Sequence, residues 1–116
     1  MRNATKVVEV NLEYGRPTVD MAVKNMKNAL TTCKKQGSKA VILVHGYGSS
    51  GVGGAIKLAI RRELADRSMS GIVRAAIGGE EWHVKKKDVT SLCPALDEYE
   101  RRLCHNEGVT IVVLRQ

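Results

Sequence analysis

A chain of 116 residues and 12.7 kDa has room for one domain, and 43% hydrophobic with 27% charged residues excludes a disordered or fibrous protein. Nineteen Lys and Arg against twelve Asp and Glu leave a formal charge of +7, which favours polyanionic partners. No apolar stretch approaches the roughly 20 residues that span a bilayer, so no membrane association is expected.

The start, Met1-Arg2-Asn3-Ala4-Thr5-Lys6, lacks the apolar core of a secretion signal. Three cysteines, Cys33, Cys93 and Cys104, fall at no framework spacing. Reduced thiols in a cytoplasmic protein are the expectation.

Val7, Val8, Val10 and Leu12 read as a first strand that ends at the turn Tyr14-Gly15-Arg16-Pro17. Thr18 can cap the next segment, and Asp20 suits the positive end of its dipole. Val19, Ala22, Val23, Met26, Leu30 and Cys33 then recur at helical spacing until Gly37 supplies a stop. Ala40 to Val44 is a continuous apolar run, the pattern of a central strand or one covered on both faces. A glycine-rich segment follows. Then comes a second amphipathic helix with Ile56, Ala59, Ile60 and Leu64 inward and Lys57, Arg61 and Arg62 outward.

Ile72 to Ile77 reads as a third strand turning at Gly78-Gly79, with Glu81 to Val84 continuing as an edge strand before a basic turn, Lys85-Lys86-Lys87. Val89, Leu92, Leu96, Tyr99 and Leu103 have helical spacing, and Pro94 places that helix start near Cys93. Val109 to Leu114 is a last β-branched strand. Alternating strands and helices predict an α/β, two-layer sandwich over residues 1–116, with a four- to five-stranded mixed sheet and helices mainly on one face.

Five of the nine residues from Gly46 to Gly54 are glycine. Glycine lets the main chain reach positive φ and lets a partner approach closely. A strand passing through such a turn into a helix leaves unpaired N–H groups beside the helix dipole, which is an anion site. The predicted phosphate contacts are Gly46, Tyr47, Gly48, Ser49, Ser50 and Gly51, with His45 beside them. Gly46 to Gly51 also matches G-x-G-x-x-G, but the chain is too short for a dinucleotide fold, and the run Ile72–Ile77 has no acidic residue at its end to hold a ribose. The run from Leu43 to Ser50 looks like the oxyanion strand of α/β-hydrolases, yet no G-x-S-x-G elbow follows.

The ordered set Val10-Asn11-Leu12-Glu13, helix, His45-Gly46-Tyr47-Gly48, helix, and Gly108-Val109-Thr110-Ile111-Val112-Val113-Leu114 resembles the Smr domain, the small MutS-related module, over nearly the whole chain. The resemblance implies a fold like the C-terminal domain of bacterial translation initiation factor three. It also implies nucleic-acid binding and, in some members, endonuclease cleavage of DNA or RNA. The family's candidate catalytic groups are an Asp and a His in the first-strand motif and the His of His-Gly-x-Gly. Here those places hold Asn11, Glu13 and His45, so the chain resembles a divergent member in which only His45 carries over.

Asn11 takes no proton, and the negative Glu13 repels a phosphate unless a metal or Lys intervenes. The expectation is therefore a binding domain with nuclease activity reduced or lost. The alternatives are an endonuclease using His45 and Glu13, with a divalent metal as cofactor, or a protein-interaction module whose partner docks on the third helix. The stretch from about 85 to 106 reads as a helical insertion.

Arg74 and Lys85, Lys86 and Lys87, with Lys57, Arg61 and Arg62, are expected to build one basic surface beside the glycine-rich segment and to contact DNA or RNA backbone. Aromatic residues are too few, at 3%, for a stacking platform; of Tyr47 and Trp82, Tyr47 is the better stacking candidate and Trp82 reads as a packing residue. Cys93, Cys104, His105 and His83 match no common zinc spacing, so no metal site is predicted.

Overall fold

The computed structural model describes residues 6–46 and 52–116 of the chain. Four strands, β1 (Val7–Asn11), β2 (Ala40–Val44), β3 (Val73–Gly79) and β4 (Asn106–Leu114), form one sheet in the order β1-β2-β4-β3. The helices are α1 (Val19–Lys35), α2 (Val52–Leu64), α3 (Trp82–Leu92) and α4 (Glu100–Leu103). Short 3-10 turns lie at Arg67–Met69 and Pro94–Tyr99. None of the described helices is long and apolar enough to cross a membrane.

The first half folds as its residues dictate. The Thr18 hydroxyl accepts the Met21 N–H at 3.1 Å, Asp20 sits in the first turn of α1, and Lys34 and Lys35 sit in the last. Ala22, Met26, Leu30 and Cys33 are buried at steps of four, four and three residues. Past its C-cap, Gly37 takes φ 84° and turns the chain into β2.

Helix α1 is the crossover that makes β1 and β2 parallel, while β4 lies antiparallel between β2 and β3. Ala40, Val41, Ile42 and Leu43 have no solvent exposure, because β2 is central and covered on both faces.

The mixed four-stranded sheet agrees with the predicted class, and its two faces carry different helices. Val41, Leu43, Val112 and Leu114 pack with α1 and α2. The alternate residues Ala40, Ile42, Ile111 and Val113 pack with Trp82, Val89, Leu96 and Leu103. The two long helices thus share one face, as expected. The shorter helical segments cover the other, because an apolar run such as Ala40–Leu43 offers both its faces for burial.

Three expectations for the second half need correction. Glu81 to Val84 is not an edge strand: Glu81 N–H returns to the Gly78 carbonyl at 2.9 Å and Lys85 N–H to the Glu81 carbonyl at 2.9 Å, which starts α3. Trp82 is buried there and Val84 points to solvent. The lysine run lies inside α3, not in a turn. The third helix does not begin near Cys93; α3 ends at Leu92, and Pro94 opens the 3-10 turn that leads to α4. Proline does start a helical segment here, but the segment is a tight one.

Candidate functional site around His45

Strand register brings the carboxyl ends of β1, β2 and β3 and the start of β4 to one end of the sheet. Asn11 lies beside Val44, Val44 opposite Val109, and Gly79 opposite Asn106. This is the end where β2 releases His45 and Gly46. The N–H groups of both residues donate to the Gly108 carbonyl at 3.0 Å. Gly46 has φ 80°, a conformation that favours glycine. A Cβ added there would meet a carboxylate oxygen of Glu13 at 2.3 Å, so the Glu13 side chain lies directly over the Gly46 main chain.

His45 has no solvent exposure. Its Nδ1 is 3.1 Å from the Gly46 carbonyl, and its Nε2 is 2.8 Å from the Thr110 hydroxyl. The Arg61 Nε–H donates to the same hydroxyl at 3.2 Å, and the Arg61 guanidinium holds Glu80 through two bonds, at 2.5 and 2.9 Å. The protonation pattern follows from the donors available. A carbonyl only accepts, so Nδ1 carries the hydrogen. Burial keeps the ring neutral, so Nε2 accepts the Thr110 O–H while the Thr110 oxygen accepts from Arg61. The pKa of His45 is lowered, first by burial. The charges of Arg61 and Lys57 add to this, against the Gly46 hydrogen bond and Glu80. Glu80 is held down to about 2, chiefly by its hydrogen bonds from Arg61.

The chain Glu80–Arg61–Thr110–His45–Gly46 therefore joins β3, α2 and β4 to the first residue of the glycine-rich segment. Both ring nitrogens of His45 are occupied and shielded. In this arrangement His45 orients Gly46 and takes no proton from solvent.

Asn11 is also engaged. Its side-chain oxygen accepts the N–H groups of Glu13 and Tyr14, both at 2.9 Å, and so shapes the turn that carries Glu13. Glu13 is exposed and beside Gly46. The structure thus brings Asn11, Glu13, His45 and Gly46 together at one end of the sheet. Tyr47, Gly48, Ser49, Ser50 and Gly51 lie outside the described residues.

The expected single basic surface is divided. Lys57, Arg61 and Arg62 ride on α2, and Lys85, Lys86 and Lys87 ride on α3, which packs on the opposite face of the sheet. Arg74 follows Val73, which pairs with Leu114 at the end of the sheet away from His45. Many of these charges already have partners: Lys57 with Glu107 at 3.9 Å, Arg61 with Glu80, Lys85 with Glu81 at 3.3 Å, and Lys86 with Asp97 and Glu100 at 3.3 and 2.8 Å. Among the described residues no group of three or more His, Cys, Asp and Glu side chains is placed to hold a metal ion.

Thr110 and Glu80 are the members of the site that sequence reasoning missed. Thr110 left one signal, as the single polar residue between Val109 and Leu114. Glu80 left none, since its partner Arg61 is nineteen residues away.

In three dimensions the chain is similar to the crystal structure of the Smr domain of Thermus thermophilus MutS2. The TM-score is 0.58 at 26% sequence identity, and the match covers 93% of this chain and 98% of that one. The resemblance read from the motifs thus holds in the fold. No family model and no curated protein matches the sequence.

Proposed function

We propose that the chain is a nucleic-acid-binding Smr-like domain that contacts the phosphate backbone of DNA or RNA, with nuclease activity reduced or lost. The likeness to an Smr domain along nearly the whole chain and the +7 charge support the binding. Gly46 to Gly51 supply main-chain contacts in this reading, and cations without acidic partners, such as Arg62 and Lys87, supply screening-sensitive ones. One observation carries the loss of cleavage: His45 is buried with both ring nitrogens hydrogen-bonded, while Asn11 is committed to its turn. Phosphodiester hydrolysis needs a proton acceptor within reach of the attacking group, and neither residue is free to be one.

Filter binding on single-stranded and duplex DNA and RNA tests the first half. Affinity is expected to fall more than about tenfold between 50 and 200 mM salt. Affinity that ignores salt overturns backbone binding.

The active-endonuclease reading retains one supporting observation, the Glu13 carboxylate lying over Gly46. Incubation with supercoiled plasmid and structured RNA, with and without Mg²⁺ or Mn²⁺, separates the two. Intact substrate is the expected result. Cleavage that disappears in Glu13→Gln and needs the metal establishes the second reading.

A further inference from the structure

The opposite end of the sheet has a different chemistry. Lys6 precedes β1, Lys39 precedes β2, and the Lys39 N–H donates to the Lys6 carbonyl at 2.7 Å, which fixes the two residues side by side. Arg74 comes from the start of β3. The three side chains line one pocket of about 300 Å³ between this end of the sheet and the segment from Leu92 to Ala95.

Among the described residues no Asp or Glu lines this pocket. Lys6, Lys39 and Arg74 make no ion pair there. The polar contact of Lys39 is with the Gln116 side-chain oxygen at 3.4 Å. At the His45 end, by contrast, Lys57 and Arg61 are matched by Glu107 and Glu80. Three cationic side chains lining one pocket with no Asp or Glu among its described lining favour a bound anion.

The pocket also has an apolar side. Leu92, Ala95, Val113 and Leu114 contribute to its wall. Cys93 also lines the pocket and is itself buried. Lys6, Lys39 and Arg74 are exposed and line the pocket from its solvent side. The volume is at the small end of ligand sites, suited to one small molecule or one unit of a polymer.

We propose that this pocket binds one nucleotide, with Lys6, Lys39 and Arg74 around its phosphate and the Leu92–Ala95–Val113 wall against its base. Arginine can meet a phosphate through two parallel N–H bonds, and the lysines add point charges. The site is at the opposite end of the sheet from His45 and Gly46 and does not depend on what that end binds. The nucleotide can be free or can be the terminal unit of a strand; both present the same phosphate.

The test is a titration of the ¹⁵N-labelled full chain followed by amide NMR, with AMP, adenosine, inorganic phosphate and a 5′-phosphorylated single-stranded oligonucleotide as probes. AMP is expected to move the amide signals of Lys39, Cys93, Ala95 and Gln116, adenosine to leave them in place, and phosphate to move them less. Lys39→Ala and Arg74→Ala are each expected to weaken AMP binding by about fivefold or more. The signal dispersion of each variant reports its folding, and Lys39→Arg should retain binding. If AMP and the oligonucleotide both move these signals, the pocket accepts a strand end; if AMP alone does, it accepts a free nucleotide.

Three results overturn the proposal. They are no movement with AMP at millimolar concentration, movement only around Gly46, Gly108 and Thr110, or an affinity unchanged when Lys39 and Arg74 are both replaced. The same oligonucleotide titration reads the His45 end separately, so a failure there is distinguishable from a failure here.

Discussion

His45 is a residue whose sequence position suggests chemistry and whose surroundings assign it architecture. Its ring is the middle of a hydrogen-bond chain with no solvent access, so each neighbour bears on its state. Replacing Thr110 by Val leaves Nε2 without a donor inside the protein and strips Arg61 of a partner. The expected loss is about 1–3 kcal/mol, read from urea unfolding, with a change in the His45 tautomer visible in its ring ¹⁵N shifts. The pH dependence has a defined sign. The pKa of folded His45 lies below its ordinary value of 6.5. In the window beneath 6.5 the unfolded chain binds more protons than the folded one, so stability is complete above it and falls on acidification. Urea midpoints at pH 7.5 and 5.5 should show this drop in the wild type and a smaller one in His45→Gln. The Glu80–Arg61 pair responds in a separate window. Its contribution is present above 4.5 and is lost as the pH falls toward about 2.

At the scale of elements, the passage from β3 into α3 is where the sequence misleads most. Gly79 ends β3 under the main chain that enters β4. A Cβ there would stand 2.0 Å from the Asn106 carbonyl oxygen and 2.8 Å from that of Leu103. Both are backbone atoms and cannot rotate away. Gly79→Ala is therefore expected to destabilise by about 1–3 kcal/mol or more, measured by thermal or urea unfolding. Gly78 differs: the atom nearest to a Cβ there belongs to the end of the Arg61 side chain. Helix α3 was illegible because its buried residues are few. Trp82 and Val89 are buried and Leu92 is half-buried, while three consecutive lysines interrupt the pattern. The Trp82 indole N–H donates to Glu100 at 2.7 Å and so ties α3 to α4. That bond joins residues eighteen apart and has no local signature.

Across the whole molecule, a net charge of +7 says little about where a polyanion would lie. The sheet separates the charges into two poles and two faces. Near His45 the cations Arg61 and Lys57 are spent on Glu80 and Glu107. At the Lys6–Lys39–Arg74 pole none of the three is paired among the described residues. Nucleic-acid binding that uses only three or four unpaired cations should give a shallow salt dependence. The expected slope of log affinity against log salt has a magnitude of about 2–4, read from the filter-binding series. A much steeper slope would mean that more of the nineteen Lys and Arg join the contact.

Periodicity and punctuation alone were enough for α1, β2 and the mixed α/β class. The Thr18 cap, the four-residue rhythm of Ala22, Met26 and Leu30, and the unbroken run Ala40–Val44 are local, and local rules decide them. The motif order from Val10 to Leu114 likewise pointed to the Smr fold that the structure shares. Tertiary structure alone decided the burial of His45, its neutral tautomer and the division of the basic residues. These depend on Thr110 standing opposite Gly78 in the sheet and on Arg61 reaching across from α2. Such contacts join residues tens of positions apart, and the spacing of a sequence carries no record of them.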